Sequence, residues 1–409
     1  MSGSRPVSDS EFADLMASLG PFGPAPHLVA GVSGGPHSLA LVLLAARWAH
    51  RRGGVLRAAI CDHGLRQDSA AEAAGVAAGL TGLGIPAEIR RLGLSPGPGA
   101  QERARRARLD ALLAACAEAG APWLLLGHHR ADQAETLLAR ALAGSGASGL
   151  AAMAPVRPEL AALVLRPLLG IAPARLEAVL SEAGLEPVRD PSNQDERFDR
   201  VRLRRSLADP GGEGAAVMAL AEAAARFAAR RGALAAEVAA RCAGCVTLHE
   251  AGFARIALPR LGGDAVARAL LGALVRLLGG AAYPPAEEAV AGLMARGEGT
   301  LGGTMLRRSG LLLREAAAIA PASRAAPGLL WDGRFRVGAG MPPGLTIGAA
   351  GETARRLPRP DWLPASVVPT LPALYSNGAL AVLPALAYPD PDLAARHALR
   401  FAPRAGAAC

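Results

Sequence analysis

The stretch from His27 to Leu44, HLVAGVSGGPHSLALVLL, decides how the rest of the chain is read. Leu28, Val29 and Val32 form a short apolar run of buried-strand type, Ser33 to Ser38 interrupts it, and Leu39 to Trp48 resumes with apolar residues at helical spacing. The order is strand, tight loop, helix. Glycines at 34 and 35 let the backbone take conformations closed to other residues and bring its N–H groups close to a ligand. Pro36 suits a first helical turn, and Ser33 and Ser38 set hydroxyls beside N–H groups that the helix leaves unpaired. Such a terminus favours an anion such as phosphate. Neither G-x-x-x-x-G-K-S/T nor G-x-G-x-x-G occurs here, which excludes two familiar nucleotide loops.

Strands and helices alternate after this unit. Leu56–Cys61 reads as a strand running into Asp62-His63-Gly64-Leu65-Arg66, Asp68–Leu83 as a helix, Ile85–Ile89 as a strand and Gln101–Ala119 as an Arg-rich helix. Trp123–Leu126 is a further strand, and Gly127-His128-His129-Arg130-Ala131-Asp132-Gln133-Ala134-Glu135-Thr136 leads from it into a helix ending at Leu142. Alternation of this kind predicts βαβ units and a parallel sheet flanked by helices, with ligands at the carboxyl ends of the strands. The segments 33–38, 62–66 and 127–136 all fall at such ends. His63, His128, His129, Asp132 and Glu135 are therefore expected to gather around a phosphate-type loop. Asp132 and Glu135, three apart, share one helix face and could hold a metal ion on a nucleotide or receive an ammonium group.

Composition limits the partners. The 409 residues are 51% hydrophobic, enough for two or three domains with sizeable cores. No lysine occurs, so all 44 basic residues are arginine, and the net charge of +9 with a pI near 10.4 makes a polyanion a plausible partner. Residues 1–20 lack the apolar core of a signal peptide, and the apolar runs are broken by arginine well short of membrane-spanning length. A cytoplasmic protein with no membrane partner is expected. Five widely spread cysteines make no disulfide framework.

Further along, Val164-Leu165-Arg166-Pro167-Leu168 reads as a short strand and Ala172–Ala183 as a helix. Asp190-Pro191-Ser192-Asn193-Gln194-Asp195 is a turn cluster, and a dense run of Arg200, Arg202, Arg204 and Arg205 follows, suited to phosphate contacts through the planar guanidinium.

The loop at 33–38 resembles the pyrophosphate loop of the N-type ATP pyrophosphatases, S-G-G-x-D-S, with His37 where that family has Asp. The set S-G-G-P-H-S at 33, D-H-G-L-R at 62, G-H-H-R-A-D-Q-A-E-T at 127, G-S-G at 144, R-P-L-L at 166 and D-P-S-N-Q-D at 190 is similar, in order and spacing, to the tRNA(Ile)-lysidine synthetases. Fainter likeness continues at Thr300–Gly303, Trp331–Phe335 and Thr370–Leu374. The resemblance implies an adenine nucleotide alpha hydrolase-like fold and a two-step ligation. ATP adenylates the oxygen on carbon 2 of the wobble cytidine in the CAU anticodon of tRNA(Ile). The ε-amine of free L-lysine then displaces AMP.

Carried over residue by residue, the resemblance assigns Ser33, Gly34, Gly35, Pro36, His37 and Ser38 to the ATP phosphates. Asp132, Glu135, His63 and His128 become catalytic, and Arg200, Arg202, Arg204 and Arg205 grip tRNA. Mg2+ would sit at Asp62 and Asp132, because His37 removes the expected loop carboxylate. Val201 replaces a common Asn and Thr304 a common Cys.

Three parts are expected: a catalytic domain over 1–208, a helical tRNA-docking domain with a terminal hairpin over 209–325, and a small β-containing domain over 326–409. Cys242 and Cys245 with His249 supply too few ligands for a structural metal. A tRNA thiolase of the same superfamily, or a tRNA-binding protein whose catalysis is weakened by His37, are the alternatives. Oligomeric state, a homodimer included, stays open.

Overall fold

In the computed structural model, the described residues are 4–62, 64, 68–94, 97, 99–187, 199–391, 394 and 399–403, with the side chains of 100, 101 and 199–201 excepted. They fall into two units, Met1–Arg231 and Gly232–Cys409.

The first unit is built on a six-stranded sheet. Strands β1 (His27–Val32), β2 (Val55–Asp62), β3 (Ala87–Arg91), β4 (Trp123–Leu126), β5 (Val156–Pro158) and β6 (Leu163–Leu165) lie in the order β3-β2-β1-β4-β6-β5. The first four and β6 run parallel, as the alternation predicts, whereas β5 pairs antiparallel with β6 at the edge. An edge strand joined to its neighbour by a short connection needs no crossover helix, so the helix–strand alternation could not reveal it.

Side-chain alternation explains why helices cover both faces. Leu28, Ala30, Val32, Ile60, Leu125 and Leu165 point to one side, where α1 (Asp9–Ala17), α2 (Pro36–Arg51), α3 (Ser69–Gly82) and α7 (Pro173–Glu182) bury Phe12, Leu41, Leu44 and Leu176 against them. Val29, Ala59, Cys61, Leu124 and Val164 point to the other, under Leu112, Ala115 and Cys116 of α4 (Ala100–Ala119). Strand order reverses between β1 and β4. The loop leading into α2 and the residues leading into α5 (Arg130–Leu142) leave those two strands and flank this switch point, where open α/β sheets bind ligands.

The short helix α6 (Ala147–Leu150) follows, and α8 (Asp199–Leu207) lies after α7. The sequence suggests a break at Pro210-Gly211-Gly212, but the first unit continues through it. The initial turns of α9 (Ala215–Cys245) lay Val217, Leu220, Ala224 and Phe227 on Ala131, Ala134 and Leu137 of α5, and this apolar seam extends the catalytic unit to Arg231.

In the second unit, β7 (Val246–His249), β8 (Phe253–Ile256), β9 (Gly299–Leu301), β10 (Thr304–Leu306) and β11 (Leu311–Arg314) form an antiparallel sheet ordered β7-β8-β11-β10-β9. Among the helices before β9, α10 (Leu258–Leu261) is a single turn, while α11 (Ala265–Gly279) and α12 (Glu287–Arg296) cover one face with Leu270, Leu274, Val275 and Leu293. Two hairpins, β9–β10 and β10–β11, stand where one terminal hairpin is expected. The first turns at Gly302-Gly303, both with positive φ, a conformation glycine adopts without strain.

The opposite face buries Phe253, Leu311 and Leu313 against Val367, Val368, Leu371 and Leu383. That shared core joins residues 232–325 to the part expected at 326–409 in one unit. Two smaller antiparallel sheets complete it. No helix among the described residues is long and apolar enough to cross a membrane.

Candidate active site

At the end of β1 the chain turns through Gly34, whose φ of 78° is left-handed and favours glycine, and Gly35 caps α2 with Pro36 in its first turn. The serines close the loop. The Ser38 hydroxyl donates to the Gly35 carbonyl at 2.9 Å, accepts the Ser33 N–H at 3.2 Å and lies 3.2 Å from the Ser33 hydroxyl. The first-turn N–H groups of α2 are not used by the helix itself, and no acidic residue stands in that turn to oppose an anion.

Gly127, at the end of β4, holds the second segment against this loop. A Cβ placed there would meet the His37 carbonyl at 3.0 Å, Ser38 Cα at 3.1 Å and the Ser38 nitrogen at 3.2 Å, so any other residue makes the loop backbone give by a few tenths of an ångström. Gly127→Ala is expected to push the two segments apart, costing about 1–3 kcal/mol of stability and weakening ATP affinity roughly tenfold. Urea unfolding and ATP titration check both.

The rings of His37 and His129 meet edge to face with centroids 4.1 Å apart. His129 caps α5, and Asp132 accepts its N–H at 3.0 Å. Burial, aided by His129, lowers the pKa of His37 to about 3; burial lowers that of His128 to about 4 and also lowers that of His129. All three imidazoles are neutral at pH 7. Burial works against the charged form of Asp132, but the His129 and His128 rings, the His129 N–H and the Arg204 cation outweigh it and hold the carboxyl below its usual value. Near pH 7 the hydrogen bond and Arg204 carry that effect, since the imidazoles are uncharged. The Glu177 carboxylate lies 4.0 Å from His37 Nε2, too far for a hydrogen bond, and a neutral ring makes no ion pair there.

Glu135, 1% exposed, is gripped by both nitrogens of an Arg204 fork, at 2.7 and 3.2 Å. The Arg204 guanidinium, expected to grip tRNA, thus pairs with a protein carboxylate while its side chain stays 45% exposed, and Glu135, expected to be catalytic, meets that cation. Helix periodicity could not foresee the pair, which joins residues 69 apart.

Asp62 is buried at the end of β2, one oxygen accepting the Gly64 N–H at 3.0 Å. One oxygen of each of Asp62 and Asp132, the residues expected to hold Mg2+, accepts a main-chain N–H. His63 and the 190–195 cluster lie outside the described residues, as does the Arg200 side chain. Arg202 and Arg205 are exposed on α8.

The sequence left Arg166 without a role. It is buried, donates to the Ala154 carbonyl at 2.8 Å, and with Arg105 and Arg108 contributes positive charge at His128. Cys61, Cys116 and Cys245 are free thiols.

A phosphate-type loop at the switch point of a largely parallel sheet, backed by a glycine with the half-buried Asp132 at the next helix start, defines a PP-loop nucleotide site. A family model for the PP-loop domain matches residues 7–210. The tRNA(Ile)-lysidine synthase of Ruegeria pomeroyi is 36% identical over 380 residues, covering 88% of this chain and 89% of that protein. That of a Methylobacterium species is 41% identical over 325 residues, with 75% and 93% covered, and that of Bradyrhizobium diazoefficiens is 43% identical over 226 residues, with 54% and 62% covered.

The chain belongs to the tRNA(Ile)-lysidine synthase family of ATP-dependent ligases. These matches extend over most of the chain and do not favour the thiolase or the non-catalytic alternative. A solved U34-tRNA thiolase from Methanococcus maripaludis aligns with 53% of the chain at a TM-score of 0.44 and 15% identity, too remote to bear on activity.

Proposed function

We propose that this chain joins the ε-amine of free lysine to carbon 2 of the wobble cytidine in the CAU anticodon of tRNA(Ile). The cytidine oxygen attacks the α-phosphorus of ATP and pyrophosphate leaves; the lysine amine then attacks carbon 2, AMP departs with that oxygen, and the ammonium proton is lost. The observation that carries the reading is the closure of the 33–38 loop on the β4–α5 segment through Gly127, which sets the ionised Asp132 at the start of a helix beside an anion site.

Main-chain N–H groups at Gly34, Gly35 and Ser38, with the two serine hydroxyls, hold the departing pyrophosphate. Asp132 orients the lysine amine and accepts its proton. His128 lines the pocket as a neutral donor or acceptor. Arg202 and Arg205 contact tRNA phosphates, and the second unit contributes to docking. The site works in the cytoplasm, where ATP, lysine and tRNA meet.

The test is incubation of the full chain with an isoleucine tRNA transcript, ATP and labelled lysine. Label in tRNA, dependent on ATP and absent when the wobble C is changed to U, is the expected result. No incorporation by folded protein that releases pyrophosphate with tRNA alone would refute the ligation step.

A further inference from the structure

The S-G-G-x-D-S pattern places a carboxylate in the first turn of the phosphate-binding helix, and a carboxylate beside a triphosphate repels it unless a cation lies between them. This chain has His37 there. Mg2+ demands oxygen ligands in near-octahedral array, commonly one or two carboxylates with phosphates and water. Among the described residues, the loop itself offers no carboxylate to that array. The first turn of α2 holds no acidic residue, His37 offers an uncharged nitrogen ring, and its buried Nε2 meets no hydrogen-bond partner among the described residues. Asp62 and Asp132 each have an oxygen taken by a backbone N–H, and Glu135 is held by Arg204.

We infer that the phosphate loop of this chain takes ATP on main-chain N–H groups and serine hydroxyls alone, with no divalent cation anchored by the protein at the loop. Mg2+ then reaches the site only as the counter-ion of the nucleotide. The helix terminus supplies positive potential for the phosphates, and an imidazole at position 37 removes the loop carboxylate that a bridging cation would otherwise offset there. The inference rests on the assignment of the loop to ATP.

The experiment measures ATP binding to the full chain by calorimetry, without tRNA or lysine, in excess MgCl2 and in excess EDTA. The wild-type Kd should differ less than about fivefold between the two buffers, and H37N, neutral like the native residue, should behave the same way. H37D restores the carboxylate. It should bind ATP at least about tenfold more weakly than wild type in EDTA and recover when Mg2+ is added. A wild-type Kd that rises fivefold or more in EDTA overturns the inference, as does an H37D variant no more responsive to Mg2+ than wild type. If H37D does not fold, the wild-type and H37N measurements decide. Loss of ATP binding in both buffers would instead remove the ATP assignment itself.

Discussion

Asp132→Asn is expected to lower kcat for lysine incorporation by roughly 10²–10⁴ while leaving tRNA affinity within about twofold. The carboxylate is at the start of α5, 15% exposed, ionised, and bonded to the His129 N–H. Asparagine keeps an oxygen for that N–H but carries no charge and accepts no proton, so the fold stays and the chemistry goes. Asp132→Ala should show the same kinetic loss with about 1 kcal/mol less stability, because the His129 N–H loses its acceptor. Turnover is read at saturating ATP and lysine, and tRNA binding by filter retention. A D132N variant with normal turnover would mean that the lysine amine is handled elsewhere, since no neutral amide can replace an anion in that role.

The second large effect is structural. Asp332→Ala should destabilise the second unit by about 3–5 kcal/mol, the cost of leaving buried charge without its partner. The Asp332 carboxylate accepts Arg314 Nε at 3.0 Å and Nη2 at 2.7 Å, Arg334 Nε at 2.8 Å and the Ala320 N–H at 2.9 Å. Arg334 is fully buried, and burial lowers its pKa to about 10 against the pull of Asp332. Two guanidinium groups thus share one buried anion inside the fold.

Burial opposes ionisation of Asp332, yet Arg314, Arg334 and the Ala320 N–H outweigh it and hold its pKa below the usual value. The stability it contributes is therefore present above the unfolded carboxyl pKa and lost as pH falls through the lower folded one. Asp332 also sits at a φ of 52°, which Asn tolerates almost as well as Asp. Asp332→Asn should then lose nearly as much as alanine, because the missing charge outweighs the turn. Urea unfolding followed by circular dichroism measures both, and variants within about 0.5 kcal/mol of wild type would show that the network carries little of the unit's stability.

The two effects separate what the site needs from what the fold needs. The Glu135–Arg204 pair falls between them. It fixes α8 to α5 beside Asp132, so the Arg-rich segment is held against the pocket by one of its own members while Arg202 and Arg205 stay on the surface. His37 and His129, touching edge to face, link the phosphate loop to the same helix.

Local chemistry by itself determined the parallel core of the first unit and the position of its ligand crevice. Apolar runs of strand length, helical spacing after Ser38 and the glycines at 34 and 35 are properties of neighbouring residues, and neighbours are what a sequence records. The order of motifs from Ser33 to Asp195 likewise sufficed for the family. Only the tertiary structure decided that Arg204 pairs with Glu135, that Gly127 backs onto Ser38, that an antiparallel strand closes one sheet edge, and that residues 232–325 and 326–409 share a core. Each of these joins residues far apart in the chain, where burial and charge neutralisation select partners that no spacing rule encodes.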